Sequence, residues 1–194
     1  LDRFGIDLAS VKAVFVTHLH PDHAKGVGTL CRKQNVAAYI SARSVQEQPD
    51  QFAKLCIPEK QVATVEPFEV VSIGPFSLFC FATSHDSAGS VGWFITYEDQ
   101  SLMVLTDTGL TTDEHMSLAK EAGILFLEAN YDRRMLQTGP YPLYLKRRID
   151  GSYGHLSNEQ ALYFLQESGF AGKHIYFIHL SDVNNDPALL EKAA

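Results

Sequence analysis

No apolar run in this sequence approaches the length that crosses a bilayer, and no basic stretch followed by an apolar one opens it. Membrane insertion is therefore not expected, and a soluble, cytoplasmic protein is. Cysteine is scarce: Cys31, Cys56 and Cys80 are odd in number, far apart and set among apolar residues. That usage excludes a disulfide framework and predicts buried free thiols in a reducing compartment. Repeats, low-complexity tracts and linker-like breaks are missing too, so the 194 residues, 45% of them apolar, are expected to form one domain over 1–194 with a sizeable core. Positive charge is in deficit. A net charge of −7 argues against indiscriminate binding to nucleic acid. It also draws attention to the one place where cations gather: Arg133, Arg134, Lys146, Arg147 and Arg148, interleaved with Tyr141 and Tyr144. Taken alone, that run reads as a solvated helix face at least as well as a phosphate-binding surface.

Short runs rich in Val, Ile, Phe and Tyr predict strands over Val11–Val16, Val36–Ile40, Phe68–Ile73, Phe76–Thr83, Val91–Tyr97, Leu102–Leu105, Ile124–Leu127 and Ile175–Ile178. Helical patterns cover Ala24–Lys33, Ala42–Gln48, Thr112–Ala122, Leu143–Ile149 and Asn158–Ser168. The last has Ser157 as N-cap, Gln160 to complete a capping box and Gly169 as its stop. Hairpins in the middle with strand–helix alternation at both ends give an α/β sandwich of two or four layers.

What is abundant is histidine beside aspartate. Thr17–His23 reads THLHPDH, directly after the apolar run Ala13–Val16. Imidazole and carboxylate are ligands for Zn²⁺ and also suit Mn²⁺ or Fe²⁺. His18 and His20 alternate and can point the same way, whereas Asp22 and His23 follow a proline that turns the chain, so the spacing supplies two sites. Four residues cannot complete two catalytic coordination shells. Further donors stand where predicted strands end: His85, Asp107 and His179.

The order THLHPDH, SHDS (Ser84–Ser87), TDTG (Thr106–Gly109) and IHLS (Ile178–Ser181) resembles the metal motifs of the metallo-β-lactamase superfamily. LEANYD (Leu127–Asp132), MLQTGPYPLYLKRRI (Met135–Ile149), GHLSN (Gly154–Asn158) and HLSDVNN (His179–Asn185) resemble its YycJ/WalJ (VicX-like) branch of bacterial DNA exonuclease-like proteins. The resemblance implies a four-layer αββα sandwich, two divalent ions (Zn or Mn, with Fe possible), a DNA substrate and no membrane partner. It implies that His18, His20 and His85 hold one ion and Asp22, His23 and His179 the other, with Asp107 between them. A water acidified by both ions would be the nucleophile. His155 matches the extra, non-ligand histidine of nucleic-acid-processing members; with Asp22 it makes up the expected catalytic pair. In this company the five cations become candidate phosphate contacts. Lys25 is expected on a helix surface, and His115 and His174 at ordinary surface or helix positions. Glu128, Asn130, Ser181, Asn184 and Asn185 are expected to support the metal residues. Two departures stand out. The family's opening strands have no counterpart before Val11, so the domain is expected to be N-terminally incomplete, and Tyr131 stands where relatives commonly carry histidine.

Three functions follow from this reading: a metal-dependent exonuclease acting on DNA, a small-molecule hydrolase of the same fold acting on a thioester, lactam or cyclic phosphate, and a catalytically silent metal-containing module that binds DNA or protein. The basic run and His155 favour the first, because a lactam or thioester needs neither.

Overall fold

Parallel strands need crossovers of a dozen or more residues, and the spacing of the β-type runs at the start of the chain meets that requirement. The computed structural model describes Gly5 and residues 7–193, the side chains of Glu191 and Ala193 excepted. These residues cluster into two compact units. One comprises the described residues through Ala82 with Ser87–Val91; the other comprises Thr83–Asp86 and the chain from Gly92.

In the first unit β1 (Ala13–Phe15), β2 (Ala37–Ser41) and β3 (Val62–Val65) form a parallel sheet in that order, with Val14 opposite Ala38 and Tyr39 opposite Ala63. The crossovers are α1 (Pro21–Ala24) with α2 (Val27–Gln34), then α3 (Ala42–Glu47) with α4 (Pro49–Lys54). Val16, Leu19, Ala24, Val27, Cys31, Ala38, Ile40 and Leu55 form its core. A Cβ on Gly28 would lie 1.7 Å from the Leu55 carbonyl oxygen, so α2 packs this closely only with glycine there. An antiparallel hairpin, β4 (Val70–Ile73) and β5 (Phe76–Ala82), turns at Gly74-Pro75.

In the second unit β6 (Val91–Tyr97), from Gly92 onward, and β7 (Gln100–Leu105) make a hairpin, and β8 (Ile124–Glu128) and β9 (His174–Ile178) continue from β7 in parallel. α5 (Asp113–Glu121) connects β7 to β8; α6 (Arg133–Thr138), α7 (Leu143–Ile149) and α8 (Asn158–Glu167) lie between β8 and β9, and α9 (Pro187–Ala193) follows. Leu105 is opposite Leu127, and Leu127 opposite Phe177. That register brings the C-terminal ends of three strands to one edge, where Asp107, Glu128 and His179 emerge. Met103, Leu105, Leu125, Leu127, Leu156 and Phe164 are buried.

α8 carries the expected capping box, with the Ser157 side chain on the Gln160 amide and the Gln160 side chain on the Ser157 amide, and Gly169 ends it at φ +67°. One feature differs from expectation. Cys56 is exposed, because it turns the chain after α4 at φ 51°; Cys31 and Cys80 are buried as expected. His115 is helical but buried, closing a capping box with Thr112 at the start of α5; His174 is exposed. Tyr131 is buried among Leu136, Ile149, Tyr141 and Leu145, and its hydroxyl donates to Asp150. No helix among the described residues is long and apolar enough to cross a membrane.

Candidate metal centre

In the first unit β1 ends at Phe15, and the Thr17 carbonyl accepts from the Val91 amide at 2.9 Å, which fixes the loop that follows. His20 is the N-cap of α1 and Pro21 its first residue, so the helix starts as the proline dictates and places Asp22 and His23 in its first turn. The three imidazoles converge: His18 and His20 stand edge to face with ring centres 4.7 Å apart, and His18 and His23 lie 4.2 Å apart. Thr17 Oγ1 sits 3.2 Å from His18 Nδ1. His18 is buried, His20 and His23 are half-buried, and Asp22 is exposed, with Oδ2 3.5 Å from His23 Nε2.

The second unit gathers His85, Asp107, Glu128, His155 and His179. His85 Nδ1 lies 3.0 Å from the Gly154 carbonyl, to which it donates, leaving Nε2 3.5 Å from Asp107 Oδ1. Burial lowers the pKa of His85 against the pull of Asp107, and so favours the neutral imidazole that metal ligation requires. Asp107 is buried and accepts from Thr106 Oγ1 at 2.6 Å. Its Oδ1 lies 3.6 Å from His179 Nδ1 and 3.7 Å from His155 Nδ1. Asp107 and His179 both adopt positive φ, 52° and 58°, a strained backbone of the kind held at functional sites.

Glu128 is the hub. It is fully buried, and Oε1 accepts from His155 Nδ1 at 2.7 Å and His179 Nδ1 at 2.9 Å, while Oε2 accepts from the amides of Thr108 and Leu156. Burial alone would raise its pKa, but the two imidazoles outweigh that and hold the carboxyl down to about 2. With Nδ1–H donated to Glu128, the lone pair of each of these histidines is on Nε2. One oxygen or nitrogen from each of Asp107, Glu128, His155 and His179 lies within 4.8 Å of the others. From sequence, Glu128 is expected only to support the metal residues. The signal was there, a lone acid ending an otherwise apolar strand, but its partners lie 27 and 51 residues away.

Three loops are pinned around this cluster. The Asn130 side chain donates to the His179 carbonyl, its amide to Leu156, and the Ser181 amide to Asn130. The side chains of Asn158 and Asn185 bond reciprocally at 2.9 and 2.8 Å, and Asn185 also reaches the Ala129 carbonyl. Asn184 is buried beside Gly139.

The five cations fare differently from one another. Lys146 donates to the carbonyls of Gln137 and Gly139 at 2.7 and 2.8 Å, tying the end of α6 to α7. Arg148 is bound to Asp86, the neighbour of His85, and Arg133 lies 3.7 Å from Glu159. Arg134 and Arg147 are exposed, and among the described residues their guanidinium groups meet no acidic partner. Lys25 is exposed at the end of α1.

A family model described as the beta-lactamase superfamily domain matches residues 4–180. The chain belongs to the metallo-β-lactamase superfamily. Within the superfamily, it is 32% identical over 181 residues to exodeoxyribonuclease YycJ of Bacillus anthracis, covering 93% of this chain and 68% of that one. To exodeoxyribonuclease WalJ of Streptococcus pneumoniae it is 33% identical over 174 residues, covering 89% and 65%. These place it in the YycJ/WalJ branch. The chain spans about two thirds of the length of both relatives. Its fold matches the metallo-β-lactamase fold protein YhfI from Bacillus subtilis with a TM-score of 0.71 at 21% identity, over 98% of this chain and 73% of that one. A superfamily member of this branch is a metal-dependent hydrolase, and its His/Asp clusters are compatible with a dinuclear metal site.

Proposed function

We propose that this superfamily member is a cytoplasmic, dinuclear-metal-dependent phosphodiesterase that degrades DNA from an end. Its ligands would be His18, His20, Asp22, His23, His85, Asp107 and His179, with Asp22 also counted as catalytic. The donor chemistry fits the ions: neutral imidazoles and carboxylates, one histidine held neutral by burial, suit Zn²⁺, Mn²⁺ or Fe²⁺. When bound, two such ions supply Lewis acidity at the phosphate and acidify the attacking water.

The observation that carries the proposal is the His155–Glu128 hydrogen bond of 2.7 Å beside Asp107 and His179. A histidine outside the ligand set, oriented by a buried carboxylate that also stabilises its imidazolium, can, when Nε2 carries a proton, deliver that proton to the oxygen that departs when the P–O bond breaks. A thioester substrate, whose thiolate departs without a proton, does not call for that group. The names of the YycJ and WalJ relatives, both exodeoxyribonucleases, support DNA as the polymer.

The test is degradation of end-labelled linear DNA by metal-free protein reconstituted separately with Mn²⁺ and Zn²⁺, beside Asp107→Ala. A product ladder that depends on metal and is absent from the variant supports a nuclease, and the labelled end reports polarity. Bound metal with no cleavage overturns it in favour of a small-molecule hydrolase or a silent module. His155→Ala is expected to retain metal and lose at least about a hundredfold in rate; loss of metal from that variant would make His155 a ligand instead.

A further inference from the structure

Two tyrosines of the second unit present their rings to solvent around the loop that carries His85. Tyr144, in the first turn of α7, is 75% exposed, and Tyr153 is 68% exposed. Both are tied to Ser84-His85-Asp86 through neighbouring residues. Tyr153 sits in a turn closed by the Gly154 amide on the Gly151 carbonyl. On either side of it, the Ser152 carbonyl accepts from Ser84 Oγ at 2.7 Å and the Gly154 carbonyl from His85 Nδ1 at 3.0 Å. Tyr144 stands one helical turn before Arg148, on the same face, and Arg148 is bound to Asp86. Arg147, three residues on from Tyr144, is exposed. In a chain of net charge −7, two exposed tyrosines and an exposed arginine thus stand on segments bonded to the loop that carries His85.

Burial would suit these rings better than water, and among the described residues none covers them. A paired duplex hides the faces of its bases; an unpaired strand exposes both base faces and phosphates, and stacking on aromatic side chains tolerates any sequence. We propose that Tyr144 and Tyr153 form a stacking platform for the bases of an unpaired DNA strand, with Arg147 on its backbone, so that this enzyme engages a single-stranded or frayed end. This rests on the phosphodiesterase reading above and adds the form of its substrate. Tyr141, packed into the core cluster of α6 and α7, takes no part.

The test measures binding of a fluorescein-labelled, phosphorothioate-linked twelve-nucleotide oligo(dT) and of a blunt duplex of equal length to the metal-loaded protein, with degradation of ordinary linear DNA followed in parallel. The single strand is expected to bind more tightly than the duplex. Tyr144→Ala and Tyr153→Ala should each weaken its binding by about tenfold, while Tyr144→Phe and Tyr153→Phe stay near wild type, which excludes a folding defect. Arg147→Ala should reduce the salt slope of binding by about 0.7. Unchanged single-strand affinity in both alanine variants overturns the platform, and if wild type still degrades DNA the phosphodiesterase reading survives that result. Loss of affinity in those variants alongside a wild type that degrades no DNA keeps the platform and removes the nuclease. Conversion of a wild-type dimer to monomer by the alanine variants, with DNA affinity intact, overturns the proposal in favour of contact between copies of this chain.

Discussion

Glu128 has four hydrogen-bond donors for two oxygens and no access to water, so its carboxylate is both satisfied and irreplaceable by an amide. In Glu128→Gln one end of the side chain becomes a donor, facing two backbone amides in one orientation and, in the other, two imidazoles that must change tautomer to accept. A buried polar network left half satisfied loses on the order of 3 kcal/mol, and the urea midpoint of the variant should fall accordingly. A midpoint equal to wild type would mean that the two imidazoles do not depend on this carboxylate.

The thiols make a second statement at this scale. Cys56 is exposed while Cys31 and Cys80 are buried, so Ellman's reagent should titrate one thiol at once in the native protein and two more only on unfolding. Burial, with Glu69 and Glu66 adding to it, pushes the Cys80 thiol up to about 12. An unfolded chain ionises its thiols near pH 8.5. Above that pH the native state keeps a proton that the unfolded state has lost, so stability falls as pH rises from about 8.5 towards 12 and is unaffected below. Urea titrations at pH 8 and 10.5 should show this decline, and Cys80→Ala should lessen it.

Among the elements, the boundaries that the sequence marks chemically are those it makes readable. Leu143–Ile149 and Val91–Tyr97 appear where periodicity puts them, and α8 begins and ends on its cap residues. β3, α1, α4, α6 and α9 are not anticipated from the sequence. Pro49 looks like a break yet serves as the first residue of α4, and the segment that becomes α6 was read as part of a basic run although Asp132 caps it. The proposed metal donors are legible because each stands where an apolar strand stops. The partnership of Glu128 with His155 was not, since no local pattern encodes a contact made only when β8 and the Gly154 turn are brought together. Gly154 shows how tight that turn is: a Cβ there would lie 2.1 Å from the Ile149 carbonyl oxygen. Gly154→Ala should therefore be far more damaging than Ser157→Ala, whose lost cap is expected to cost about 1 kcal/mol. Thermal melts of the two variants compare them directly, and equal losses would mean that the turn can relax without disturbing His85.

Across the whole molecule, metal held by the histidine and acid clusters would couple to stability. Buried or half-buried donors packed at hydrogen-bond distances, Asp107 and Glu128 among them, place anionic groups where water cannot screen them. A ligand that binds the folded chain but not the unfolded one stabilises by mass action, by about 2.7 kcal/mol when its concentration is a hundred times its dissociation constant. Removal of metal with a chelator should therefore lower the melting temperature, and restoring Mn²⁺ or Zn²⁺ should raise it again in a concentration-dependent way. Asp107→Ala, which removes the donor between the two proposed ions, should show a much smaller rise, whereas Tyr144→Ala should respond as wild type does because its ring contributes no donor. Equal metal responses in wild type and Asp107→Ala would mean that the stabilising ion sits elsewhere in the protein, and the ligand set proposed above would have to be abandoned.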